Sequence, residues 1–212
     1  MVCGRIHVSV MIELAQIMND TFSGPLRSER LILRRFQPSD GDALCAYRSL
    51  PAVARYQYWD SFGPEDAARL IADLATAEFN RPGTWVQLAL IQAATGCLIG
   101  DCGLHCHAED TRQMEFGITL SPGCQGFHYA DEAIECLLNF GFGSLQSHRV
   151  SATVDVRNRP AIALCRRLGF REEGHFVENI WFKGGWNSDY VFAMLKEEWL
   201  GRPGLNPTGS TG

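Results

Sequence analysis

Gln113–Phe140, QMEFGITLSPGCQGFHYADEAIECLLNF, changes its hydrophobic period in the middle. Met114, Phe116, Ile118 and Leu120 alternate with Gln113, Glu115, Gly117 and Thr119, the two-residue repeat of a strand. Ser121, Pro122 and Gly123 stop that strand. Further on, Ala130, Ala133, Ile134, Leu137 and Leu138 fall on one stripe of a helix. Between the two periods lies Gln125-Gly126-Phe127-His128-Tyr129-Ala130. A loop that leaves a strand and opens a helix points free backbone N–H groups outward. With the helix dipole, roughly half a positive charge, this makes an anion site of the kind that takes phosphate.

Composition narrows the field. The 212 residues, 46% hydrophobic and 20% charged, describe one globular domain with a full core. A net charge of −5 argues against a nucleic-acid surface and is compatible with cationic substrates. The only lysines, Lys183 and Lys196, do not follow a glycine, which excludes a Walker-type loop. No apolar run is long enough to span a bilayer, and no signal peptide is recognisable, so the expected location is the cytoplasm. The eight cysteines then read as reduced, small hydrophobes. Cys102 and Cys106 on one strand would sit ~13 Å apart at ~3.3 Å per residue. Two thiolates on one zinc must lie within about 4.6 Å. No metal is therefore expected from Cys102, His105, Cys106 and His107.

The loop matches a known pattern at Gln125, Gly126, Tyr129 and Ala130, with His128 where a second glycine is usual. A second match runs from Asn158 to Phe170, NRPAIALCRRLGF. SERLILRRF (Ser28–Phe36), LIGDCGL (Leu98–Leu104) and WFKGGW…MLKEEW (Trp181–Trp199) follow the same order. On these motifs the chain resembles the GNAT superfamily of N-acetyltransferases, in particular its RimJ/RimL-like branch, which acts on ribosomal-protein N-termini. The resemblance implies an α/β fold with a mixed, mostly antiparallel sheet flanked by helices. It covers residues 26–200, between a loose extension (1–25) and a disordered tail (201–212). It implies acetyl-coenzyme A as donor and a primary amine, on a small molecule or a protein N-terminus, as acceptor. It is compatible with a homodimer. A coenzyme-A-binding sensor with weak catalysis is the alternative.

The remaining elements read as follows. Strands are expected at Leu31–Phe36, Trp85–Ile91, Cys97–His105 and Val150–Val156, with a closing pair at Phe176–Phe182 and Tyr190–Leu195. Helices are expected from Pro38 to about Leu50 with Asp40 as cap, from Pro64 to about Phe79, and from Pro160 to Gly169.

The resemblance assigns roles residue by residue. Backbone N–H groups of Gln125, Gly126, Phe127, His128, Tyr129 and Ala130 would hold the pyrophosphate. A main-chain N–H near Ile118 would face the thioester carbonyl, and Asn158 would bond the pantetheine arm, cap a helix, or do both. Asp131, Glu132 and Glu135 would repel phosphate and must point aside. Glu115 is the candidate base, with a structural carboxylate as the competing reading. A lysine-like amine is neutral in only about four molecules per ten thousand at pH 7, an α-amine in about one in seven. Cys165 stands where relatives carry a tyrosine acid and could act as one, but reads more readily as a buried core cysteine. Tyr56, Tyr58, Trp59 and Trp181 are the candidate acceptor wall, since aromatics beside acids suit a cation.

Overall fold

The computed structural model describes residue 22 and residues 24–202. Most of the expected N-terminal extension and tail lie outside the described residues.

One eight-stranded sheet organises the chain. Its strands are β1 (Leu26–Arg27), β2 (Leu31–Arg34), β3 (Trp85–Gln92), β4 (Leu98–Cys106), β5 (Gln113–Leu120), β6 (Arg149–Asp155), β7 (Arg171–Phe182) and β8 (Gly185–Leu195). Their spatial order is β1-β2-β3-β4-β5-β6-β8-β7. Every neighbouring pair is antiparallel except β5 with β6, which is parallel. A parallel neighbour requires a crossover, and a helix supplies it. The helices are α1 (Gly41–Arg48), α2 (Pro51–Ala54), α3 (Pro64–Ala75), α4 (Tyr129–Asn139), α5 (Arg159–Arg167) and α6 (Lys196–Leu200). This is the mixed, mostly antiparallel sheet with flanking helices that the sequence implies.

The two faces of the sheet carry separate cores. Alternation sends Met114 and Phe116 to the face covered by α4 and α5. There Ala133, Ile134, Leu137 and Leu138 of α4 are fully buried. At ~1.5–3 kcal/mol per buried Leu or Ile side chain, the last three contribute about 5–9 kcal/mol. Ala89 and Ile91 of β3 face the other way, against Leu44, Tyr47, Ala67 and Ile71 of α1 and α3. Two glycines let β4 pack closely. A Cβ at Gly100 would run into the carbonyl of Thr119, and one at Gly103 into that of Val86.

Several boundaries differ from expectation. Asp40 precedes α1 but does not cap it with its side chain. Its carboxylate instead takes both Nη atoms of Arg34 and the N–H of Gln37. The expected first helix opens as a 3-10 turn over Pro38–Asp40 and continues as α1, α2 is an additional short helix that Pro51 starts, and α3 ends at Ala75 rather than Phe79. Strands β7 and β8 begin at Arg171 and Gly185, each five residues before the expected start. Strand β7 is the sheet edge and mostly exposed, so REEGH carries no apolar alternation to mark it. Lys183 and Gly184 join the pair, both at positive φ, as a two-residue hairpin demands.

Candidate active site

The site begins where β5 and β6 part. Their parallel register covers only Gln113↔Arg149, Met114↔Val150 and Glu115↔Ser151. Beyond it the strands diverge. The N–H of His107 donates to Gln113 O at 3.0 Å, and that of Ser121 to Ile99 O at 2.9 Å. In the continuous register between those points, odd-numbered residues of β5 bond β4. Phe116, Ile118 and Leu120 therefore turn their backbone groups toward the gap. The N–H of Ile118 faces open space between strands, where a carbonyl oxygen can be received.

A cavity of about 580 Å³ passes through this gap. On one side it is walled by Phe116, Ala161, Leu164 and Cys165, against α5. On the other it reaches Tyr56, Tyr58 and Trp59, between α2 and α3. Glu115, Asp155 and Asp189 line it as well, Asp155 with both oxygens held by Arg157 at 2.9 and 2.5 Å.

The loop before α4 has the donors that an anion needs. Gly126 and His128 both adopt positive φ, at 82° and 62°. Among the described residues, the N–H groups of Gly126, Phe127 and His128 donate to no protein acceptor. The Gln125 side chain ties the loop to β5 by donating to Leu120 O at 3.1 Å. Phe127 is exposed, and the hydroxyl of Tyr129 accepts from Gln92 at 2.8 Å. Ala130 packs on the core.

The first-turn acids are turned away, as the repulsion argument requires. Asp131 is gripped by Nε and Nη2 of Arg167 at 2.7 and 2.9 Å, and Glu132 by Arg30 at 2.7 Å. Burial opposes ionisation of each, but the hydrogen bonds from Arg167, and from Ser28 and Arg30, win and hold both carboxyls below their usual range. Arg30 also donates to Phe127 O at 3.1 Å, so the ion pair steadies the loop.

Glu115 lies at the fork itself. Its Oε1 accepts the N–H of Thr153 at 3.1 Å. Asn158 caps α5, accepting from Ala161 N at 3.3 Å, and also lines the cavity.

Two expected site residues need correction. Cys165 is 1% exposed, and burial pushes its thiol up to about 12. To protonate a departing thiolate with pKa ~8.5 it would surrender a proton uphill by ~3.5 units, about 5 kcal/mol. The structure places Cys165 in the core beneath the cavity. Trp181 is 61% exposed and points away from the cavity, crossing Trp186 edge-on at 5.6 Å. Its strand neighbours Ile180 and Phe182 line the cavity instead, by the two-residue period of β7.

The wall is held by residues to which the motifs assigned no role. Arg48 and Asp101 form a buried pair at 2.7 Å, and the Tyr47 hydroxyl donates to the same carboxylate. The Arg48 guanidinium lies 4.5 Å from the Trp59 ring, whose indole N–H donates to Arg48 O at 3.0 Å. From the other side, Lys183 Nζ donates to the carbonyls of Ala54 and Trp59, both at 2.7 Å. Tyr56 donates to Arg157 O at 3.1 Å. Tyr58 is exposed and meets Phe182 edge-on. Partial desolvation, then the charges of Glu115 and Asp189, push its phenol upward. An aspartate in the apolar segment LIGDCGL was the one visible hint of the Arg48 pair.

A forked sheet beside an uncapped helix start, with a cavity through the fork, is the architecture of an acyl-coenzyme A-dependent N-acyltransferase. Comparison with known proteins agrees. The family model described as Acetyltransferase (GNAT) domain matches residues 30–171. The chain is 32% identical over 180 residues to the uncharacterized N-acetyltransferase p20 of Bacillus licheniformis, covering 83% of this chain and 98% of that one. It is 33% identical over 91 residues to the spermidine N(1)-acetyltransferase of Vibrio cholerae, which is 43% of this chain and 53% of that enzyme. The crystal structure of a GNAT-family acetyltransferase from Bacillus anthracis superposes with a TM-score of 0.73 at 27% identity, covering 82% of this chain and all of that one. The chain belongs to the GNAT acetyltransferase family. It is an N-acetyltransferase, and enzymes of this family take acetyl from acetyl-coenzyme A to an amine.

Proposed function

We propose that this enzyme acetylates a small cationic primary amine, by direct attack in a ternary complex. The observation that carries the reading is the composition of the cavity. Two carboxylates without an arginine partner among the described residues, Glu115 and Asp189, line it together with Tyr56, Tyr58 and Trp59, while Asp155 beside them is held by Arg157. Carboxylates favour an ammonium ion and aromatic faces attract it. The likeness to a spermidine acetyltransferase over part of the chain points the same way.

The steps follow from the geometry. The N–H groups of residues 126–130 bind the pyrophosphate at the start of α4. The pantetheine arm enters the fork beside Asn158. The N–H of Ile118 donates to the thioester oxygen as negative charge builds there. Glu115 accepts a proton from the ammonium, directly or through water, and the neutral amine attacks. As the C–S bond breaks, the attacking nitrogen gives up its second proton to the departing thiolate, directly or through water, and a thiol pKa near ~8.5 makes a protein acid unnecessary.

A protein N-terminus is the second reading, favoured by the RimJ/RimL-like motifs SERLILRRF and NRPAIALCRRLGF. Acetyl-coenzyme A consumption against polyamines, aminoglycosides, amino acids and N-terminal peptides tests both. Turnover of small dications at least tenfold above any peptide supports the first reading. The reverse order replaces it with the second.

A further inference from the structure

Strand pairing assembles a group of side chains that the metal test on cysteines does not reach. His105 lies on β4 and His107 just beyond its end, where the His107 N–H still bonds Gln113 O at 3.0 Å. Glu115 stands directly across from His105 in the β4–β5 register. One ligand atom from each of His105, His107 and Glu115 lies within 4.8 Å of the others. Tetrahedral ligands on zinc at ~2.0–2.1 Å sit ~3.4 Å apart, so about an ångström of side-chain adjustment closes the set.

Three details suit these atoms to a metal. Nε2 of His107 is buried and has no hydrogen-bond partner. Glu115 uses only Oε1 on Thr153, and no protein donor among the described residues takes its Oε2. His105 is stacked on Trp85, with ring centroids 5.1 Å apart and planes 21° apart, which fixes the ring. Two imidazoles and one carboxylate suit zinc, cobalt or nickel rather than magnesium or calcium.

We propose that His105, His107 and Glu115 bind one divalent transition-metal ion at the acceptor end of the cavity, and that occupancy stops acetyl transfer. A metal on Glu115 removes the proton acceptor and sets a cation where the ammonium must sit. The inhibitory half rests on the role proposed for Glu115; the binding half does not.

Cobalt(II) titration of the purified full chain, with zinc as competitor, tests the binding. One cobalt per chain is expected, with no thiolate-to-cobalt band, and zinc should displace it. His107→Ala, and His107→Gln as a milder change, should weaken binding at least tenfold with an unchanged circular dichroism spectrum. Binding equal in wild type and both variants, or a thiolate band, overturns the site by assigning the metal to cysteines. Saturating zinc should lower amine acetylation at least tenfold, a chelator should restore it, and His107→Ala should keep its activity at the same zinc concentration. Equal loss in wild type and His107→Ala overturns the inhibitory role. Should Glu115→Gln leave zinc-free turnover intact, the base assignment falls, while the cobalt titration still decides the site.

Discussion

Glu115 and Thr153 meet across the fork of the sheet, the carboxylate accepting the backbone N–H at 3.1 Å. Two residues earlier on β6, Ser151 is still paired with Glu115 as a parallel neighbour. A side chain thus takes a strand donor that the departing ladder leaves behind. Glu115 lines the cavity, and the contact leaves its second oxygen without a protein donor among the described residues.

Glu115→Gln tests this double role. The amide oxygen can still accept from Thr153, so the fork should persist. The base is lost, and general-base removal commonly costs about 100-fold or more. For an acceptor with pKa ~10.4 we expect kcat/KM to fall about 100-fold near pH 7, and for an α-amine near ~7.8 distinctly less. The KM for acetyl-coenzyme A should not move. Initial rates for two amines of different pKa decide it; an equal drop for both would point to a structural carboxylate.

Asp101 is 1% exposed beside Arg48, which is 3% exposed. Burial lowers the Arg48 pKa, but the charge of Asp101 and its hydrogen bonds outweigh this and hold the guanidinium above its usual value. Asp101→Asn leaves that cation without a counter-charge, a change that costs about 3–5 kcal/mol. At ~2–4 °C per kcal/mol for a chain of this size, even 3 kcal/mol lowers Tm by roughly 6–12 °C. Trp59 rests on the same guanidinium, so its fluorescence should shift in the folded variant. Calorimetry showing a Tm within a degree of wild type would refute the claim that the pair is held dry.

The raised thiol of Cys165 makes a pH prediction. Its folded value of about 12 exceeds the ordinary 9.0. The folded state therefore keeps a proton that the unfolded chain gives up. This contribution is intact below about pH 9 and is lost as pH rises toward about 12. Half-buried Cys136, pushed to about 11, adds in the same direction. Denaturant titrations from pH 8 to above 10 should show falling stability, less steeply in Cys165→Ala. At pH 8 a thiol reagent should modify exposed Cys97 and leave Cys165 intact. Rapid labelling of Cys165 in the folded protein would contradict its placement.

Lys183 fastens the acceptor wall from the β7–β8 hairpin. Lys183→Met keeps the stem and removes the donors to Ala54 and Trp59. Freeing the wall should weaken amine binding by about 1 kcal/mol, roughly fivefold in KM. The KM for acetyl-coenzyme A, proposed to enter beside Asn158, should be unaffected. Steady-state KM values for both substrates check this, and a parallel rise in both would mean general loosening.

What the sequence made readable depended on whether one element or two carried the signal. The change of period at Ser121–Gly123 lies within one stretch, so β5, the loop and α4 were legible together. The fork was not, because it is a failure of pairing between Phe116–Leu120 and Ala152–Asp155, residues some 35 apart. Register likewise hid the nearness of His105 to Glu115, and the facing of Phe182 rather than Trp181 into the cavity. Strand β7 lacked a pattern because an exposed edge strand has no face to mark. The motifs found the loop because its geometry is local; the aromatic wall is held by the Arg48–Asp101 pair and by Lys183, contacts that form only after folding.

His128 bears on whether the pyrophosphate loop is compromised. It holds φ at 62°, in the left-handed region, where a side chain costs ~1–2 kcal/mol that glycine avoids. Glycine also loses more freedom on folding, about 0.5–1 kcal/mol, so the two effects largely cancel. The His128 contact with Asp131, at 3.3 Å and largely solvent-exposed, adds little. The backbone already has the left-handed turn that a glycine would give, so the loop N–H groups do not need to move. His128→Gly should therefore raise stability by at most about 1.5 kcal/mol. It should also change the Kd for coenzyme A by no more than about threefold, well under 1 kcal/mol. Isothermal calorimetry with coenzyme A measures this directly. A hundredfold gain in affinity would show instead that the native loop is a defective cradle.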